Sequence, residues 1–119
     1  MQLITNEIRI QLELNYIENQ KAEMSDYDFD PKPVVKLFNP CGSQTWLITE
    51  IEPKTNNAFG LCDMGQGYPE LGYVSITELA ELEIPGWRNM GIERDIQFEA
   101  NMTISEYADR ARETGSIAA

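Results

Sequence analysis

The chain has 119 residues, with twenty acidic against nine basic side chains, a formal charge of −11 and no histidine. A length near the commonest domain size predicts one compact unit, and 42% hydrophobic residues suffice for a core. The negative field argues against direct contact with nucleic acid or an anionic membrane, and the missing histidine removes the commonest general base and the commonest zinc ligand.

In residues 5–24, Ile8, Ile10, Leu12 and Leu14 alternate like a strand while Ile8, Leu12 and Tyr16 recur like a helix. Capping by Thr5 or Asn6, Glu7 in the first turn and the many helix formers favour a helix. Residues 25–33, with Asp26, Asp28 and Asp30 interleaved with Tyr27 and Phe29 and closed by Pro31 and Pro33, read as an extended connector. Strands follow at 34–38, 45–52 and 58–63. Asn39-Pro40-Cys41-Gly42 and Pro53-Lys54-Thr55-Asn56-Asn57 supply turns for an antiparallel meander.

A glycine-rich loop over 64–71 leads to a short strand at 72–74. A helix capped by Ser75 and Glu78 comes next and is stopped by Pro85-Gly86. Alternation of Ile96 and Phe98 predicts a further strand over 94–99. Thr103 and Glu106 cap a last helix running to about residue 113, ended by Gly115. The fold class expected is α+β: a mostly antiparallel sheet of four to five strands with an N-terminal helix, a short middle helix and a C-terminal helix, the helices packed on one face.

No apolar stretch approaches the roughly 20 residues needed to cross a bilayer. The N-terminus lacks the basic and apolar regions of a secretory signal, so a cytoplasmic location is expected. Cys41 and Cys62 are then expected as free thiols and small buried hydrophobes.

Asp26, Asp28 and Asp30 imitate the start of a calcium loop, but Pro31 stands in place of the required glycine and Leu37 in place of the closing acid. Gly60 and Gly65 have the outer spacing of a phosphate-binding loop, yet Gln66 replaces its lysine and Asp63 and Glu70 would repel phosphate. No catalytic residue, metal site or cofactor is therefore expected, and an enzyme is less favoured than a binding protein.

The residues singled out for partner contact are Asp63, Tyr68, Glu70, Glu78, Glu81 and Glu83. Tyr68 sits on the glycine-rich loop, and the acids continue through Glu93, Asp95 and Glu99 with Arg88 and Arg94 among them. Gathered on one face they would attract a basic protein surface, including one that normally holds DNA or RNA. Two alternatives stand beside this: a small-ligand or enzymatic domain built on the loop from Cys62 to Tyr73, and a homo-oligomeric structural module.

The motifs Pro33-Val34-Val35-Lys36-Leu37-Phe38, Thr45-Trp46-Leu47-Ile48-Thr49-Glu50, Phe59-Gly60-Leu61-Cys62-Asp63, Gly67-Tyr68-Pro69-Glu70-Leu71-Gly72-Tyr73-Val74-Ser75 and Ile92-Glu93-Arg94-Asp95 lie in family order over nearly the whole chain. They resemble a bacterial family known as domain of unknown function twenty-nine fifty-eight. The resemblance implies an accessory protein of plasmids, integrative elements or phages, with no established catalytic residues. An acidic inhibitor of host defence, of the anti-restriction or anti-CRISPR kind and acting as a DNA mimic, would fit that setting.

Overall fold

The computed structural model describes residues 2–84 and 90–119; Arg88 and the expected helix stop at Pro85-Gly86 lie outside them. The described elements are α1 (Asn6–Ser25), β1 (Val35–Phe38), β2 (Thr45–Ile51), β3 (Asn57–Asp63), β4 (Glu70–Ser75), α2 (Ile76–Glu81), β5 (Glu93–Arg94) and α3 (Ile104–Thr114). The fold is α+β, with a five-stranded antiparallel sheet in the order β4-β3-β2-β1-β5. No described helix is long and apolar enough to cross a membrane.

Local chemistry sets the helix ends. The Thr5 hydroxyl accepts from Ile8 N–H at 3.2 Å, which settles the ambiguous first segment as a helix, and Asp26 closes it in the left-handed conformation at φ 59°. The serine half of the expected box at α2 is present, with Ser75 Oγ accepting from Glu78 N–H. At α3 the reciprocal capping box of Thr103 and Glu106 is complete, and the helix ends at Gly115.

β2 is buried along nearly its whole length, as an apolar run covered from both sides must be. Side chains alternate across a strand, so Trp46 and Ile48 join Leu12, Val35, Leu37, Ile76 and Leu79 in one core. Leu47 and Leu61 meet Ile104, Tyr107, Ala108 and Ala111 in another. This corrects the expectation that the helices share one face: α3 packs on the side opposite Leu12 and α2, because β2 carries apolar residues on both of its faces.

The strand expected over 94–99 is also corrected. Glu93 and Arg94 pair with β1, and Asp95 N–H still donates to Lys36 O at 2.9 Å before the pairing ends. The chain then turns, with Asp95 Oδ1 accepting from Gln97 N–H at 3.0 Å and Asp95 O accepting from Phe98 N–H at 3.3 Å. A short acid that bonds its own backbone two residues on favours a turn over a strand, and Ile96 is left exposed.

Candidate functional site

β2 outruns β1. The last backbone contact on that side is Val34 N–H to Ile48 O at 2.8 Å, and the register with β3 shifts between Ile48 and Glu50, leaving Thr49 as the extra residue of a bulge. The bulge reverses the alternation: Ile51 joins Ile48 in the first core, while Glu50 pairs with Phe59, which in turn pairs with Tyr73. Bulges re-aim side chains in this way. A carboxylate and two aromatic rings thus form one row across β2, β3 and β4, with the rings edge to face at 5.2 Å.

The second half of α1 passes the β2 edge beyond the end of β1, anchored there by Asn15 on Thr49 O, and borders this row. Tyr16, Asn19, Gln20 and Glu23 enclose a cavity of about 220 Å³ with Glu50, Glu52, Asn57, Phe59 and Tyr73. Glu50, Phe59 and Tyr73 also line a neighbouring space of about 310 Å³ bounded by Phe29, Asp30, Pro31 and Ser105. A third, more open cleft of about 580 Å³ continues past Asp26, Tyr27 and Asp28. Together they make one groove walled by aromatic rings and lined with carboxylates.

The connector is held at the groove rim by α3. Pro31 O accepts from Ile104 N–H at 2.8 Å, and the Asp30 carboxylate accepts from Ser105 N–H at 3.0 Å and from the Ser105 hydroxyl. Burial works against charge on Asp30, but the hydrogen bonds from Ser105 and Thr103 outweigh it and hold its carboxyl below the usual range. The aspartate that imitates a calcium ligand in the sequence is thus occupied at the N-terminus of α3.

Glu50 is only 9% exposed, and its carboxyl is pushed up to about 7, first by burial and then by the nearby charge of Glu23, against a hydrogen bond from Asn19. The Tyr16 hydroxyl is raised by burial and then by Glu52 and Glu50. Among the described residues Arg9 pairs with Glu13, Lys36 with Asp95 and Arg112 with Asp109. None of Glu23, Glu50 and Glu52 has an ion pair among the described residues. A buried carboxylate beside a second acid and without a counter-charge is costly to the fold, and such costs concentrate at functional sites.

The residues anticipated for partner contact fall into separate places. Asp63 is buried, its Oδ1 accepting from Gly65 N–H at 2.9 Å and its Oδ2 from Ile117 N–H at 3.0 Å, so its carboxylate ties the glycine-rich loop to the C-terminal segment. Tyr68 and Glu70 are exposed before and at the start of β4. Glu78, Glu81 and Glu83 are exposed beyond the other end of that strand, a strand length of roughly 17 Å away. Glu81 and Glu83 meet Glu93 around a separate cleft of about 490 Å³.

Cys62 packs partly buried against the first core, and burial raises its thiol, which disfavours the thiolate a nucleophile needs. Cys41, expected to be buried, is exposed, because it sits on the β1–β2 turn where Asn39 Oδ1 accepts from its N–H at 2.9 Å. Of the loop from Cys62 to Tyr73, Leu71 and Tyr73 line the groove. Sequence reasoning missed Glu23, Glu50 and Glu52. The signal for Glu50 is a single glutamate inside the apolar run Trp46-Leu47-Ile48-Thr49-Glu50-Ile51.

A family model described as "Protein of unknown function (DUF2958)" matches residues 3–118. No curated protein and no solved structure matches the chain.

Proposed function

The chain belongs to the DUF2958 protein family, and from that premise we propose that it is a non-enzymatic acidic interaction protein that binds a basic, nucleic-acid-handling surface of another protein. The observation carrying this reading is the groove, where Glu23, Glu50 and Glu52 stand without ion pairs among the described residues beside Tyr16, Phe59 and Tyr73. Carboxylates alone serve solubility; carboxylates enclosed with aromatic rings offer a cationic surface both charge and contact area.

In a mobile-element setting the natural targets are restriction or CRISPR effectors, whose basic channels normally hold a phosphate backbone. The chain then competes with nucleic acid as a DNA mimic, and Glu70, Glu78, Glu81 and Glu83 extend the negative field that steers the encounter. The test is capture of effectors from host lysate at low and high salt, followed by competition with duplex DNA. Binding that weakens with salt and is displaced by DNA supports the reading; capture indifferent to both overturns it.

One observation favours the homo-oligomeric reading. Ile10, Leu14 and Ile17 are 61%, 53% and 47% exposed and lie on one stripe of α1 at helical spacing. Light scattering on the purified chain distinguishes the two, since this second reading requires a dimer or larger species without any partner.

A further inference from the structure

The reading of an acidic interaction protein leaves open which group of the partner enters the groove. The row Glu50–Phe59–Tyr73 narrows that choice. Glu50 is nine-tenths buried yet borders the cavity under α1, so a cation must come in to meet it. The wall it meets on the way is aromatic: Tyr73 is 78% exposed and stands edge to face with Phe59, with Tyr16 across the cavity.

A lysine ammonium is compact and strongly hydrated, and enclosing it would strip water that three carboxylates replace only in part. A guanidinium is flat, more weakly hydrated, stacks on aromatic faces and bonds a carboxylate through two parallel N–H groups. Asn19 lines the same cavity as Glu50, and an ionised carboxylate has the acceptor capacity for such a fork.

We infer that the groove between α1 and the β2–β3–β4 row receives an arginine side chain of the basic partner, its guanidinium on Glu50, its flat face against Phe59 and Tyr73, and Glu23 and Glu52 at the rim. This assignment rests on the reading of the protein as a binder of basic surfaces. It makes arginine, in place of general positive charge, the determinant of recognition.

The test is titration calorimetry of the full chain with an oligo-arginine peptide and an oligo-lysine peptide of equal length, at about pH 8 so that Glu50 is ionised. The expected result is roughly tenfold tighter binding of the arginine peptide. That preference should be lost in both Glu50→Gln and Tyr73→Ala, with circular dichroism unchanged. Tyr73 is exposed, and Glu50→Gln removes a buried charge, so neither change threatens the fold. Equal binding of both peptides, untouched by the two substitutions, overturns the arginine assignment while leaving the acidic-surface reading standing. Failure of both peptides to bind overturns the two together.

Discussion

The Asn15 side-chain amide donates to the backbone carbonyl of Thr49 at 2.9 Å, and through that bond a helix side chain completes the edge of a strand. Thr49 is the bulge residue where β2 passes the end of β1, so no neighbouring strand satisfies its carbonyl on that side. Asn15 is buried and also accepts from the Gln11 amide at 3.0 Å. The helix is therefore registered against the bulge that turns Glu50 toward the groove.

Replacing Asn15 with Ala should leave a buried carbonyl unpaired and lower stability by about 1–3 kcal/mol. Denaturant unfolding checks this, and the same variant should lose the groove's preference for an arginine peptide, because α1 loses its anchor next to Glu50. A variant with native stability would show that water satisfies Thr49 O.

Glu50 makes stability depend on pH. Its folded-state carboxyl lies at about 7, above the ordinary value of 4.5, so between those limits the folded chain holds a proton that the unfolded chain releases. Folding is then favoured at the acid end, and that advantage is lost as pH rises through about 7. Full enclosure would make the shift worth roughly 3 kcal/mol, and water in the groove reduces this to about 1–2 kcal/mol. Glu50→Gln should raise the melting temperature at about pH 8 and flatten its decline from about pH 5 to 8; Glu23, Glu52, Asp26, Asp28, Asp30, Tyr16, Tyr27 and Tyr73, the other titratable groups lining the groove, remain in both proteins.

Asp63→Ala should cost about 2 kcal/mol in thermal unfolding, since Gly65 and Ile117 each lose an acceptor for a backbone N–H. Partner or peptide affinity should not change. Lost affinity in a variant that remains folded would return Asp63 to the interaction surface.

At Gly60 an added methyl carbon would stand 2.0 Å from the Leu47 carbonyl oxygen. Both atoms belong to the centre of the sheet, so neither can move aside cheaply. Gly60→Ala is expected to destabilise by more than about 2 kcal/mol and to give little soluble protein, whereas Gly72→Ala, with open space around its position, should express normally. Soluble yield and melting temperature of the pair make the comparison.

Elements with local signals are legible from the residues alone. Thr5, Ser75 and Thr103 cap the helices they are expected to cap, and the turns between β1, β2 and β3 fall where Asn39-Pro40-Cys41-Gly42 and the Pro53–Asn57 run place them. The side of the sheet that each helix covers is not written locally. It depends on Leu47 and Trp46 pointing opposite ways, which alternation permits but does not connect to a particular helix. Glu50 is visible as an odd charge in an apolar strand, yet its meeting with Glu23 requires the bulge at Thr49 and the length of α1, and neither leaves a mark in composition. Asp63 shows another limit: an acid beside a glycine-rich loop carries no local sign of its burial, which depends on Ile117, 54 residues away, supplying a hydrogen bond.

The rim contact of Asp30 with Ser105 joins residues 75 apart in the chain, and that of Pro31 with Ile104 lies beside it. During synthesis α1 and the meander leave the ribosome well before α3, so the nascent chain carries Glu50 with one bank of its cleft still missing. The cleft is thereby completed only once α3 has been made, and a translation product cut short before α3 would keep most of its negative charge but lack that bank.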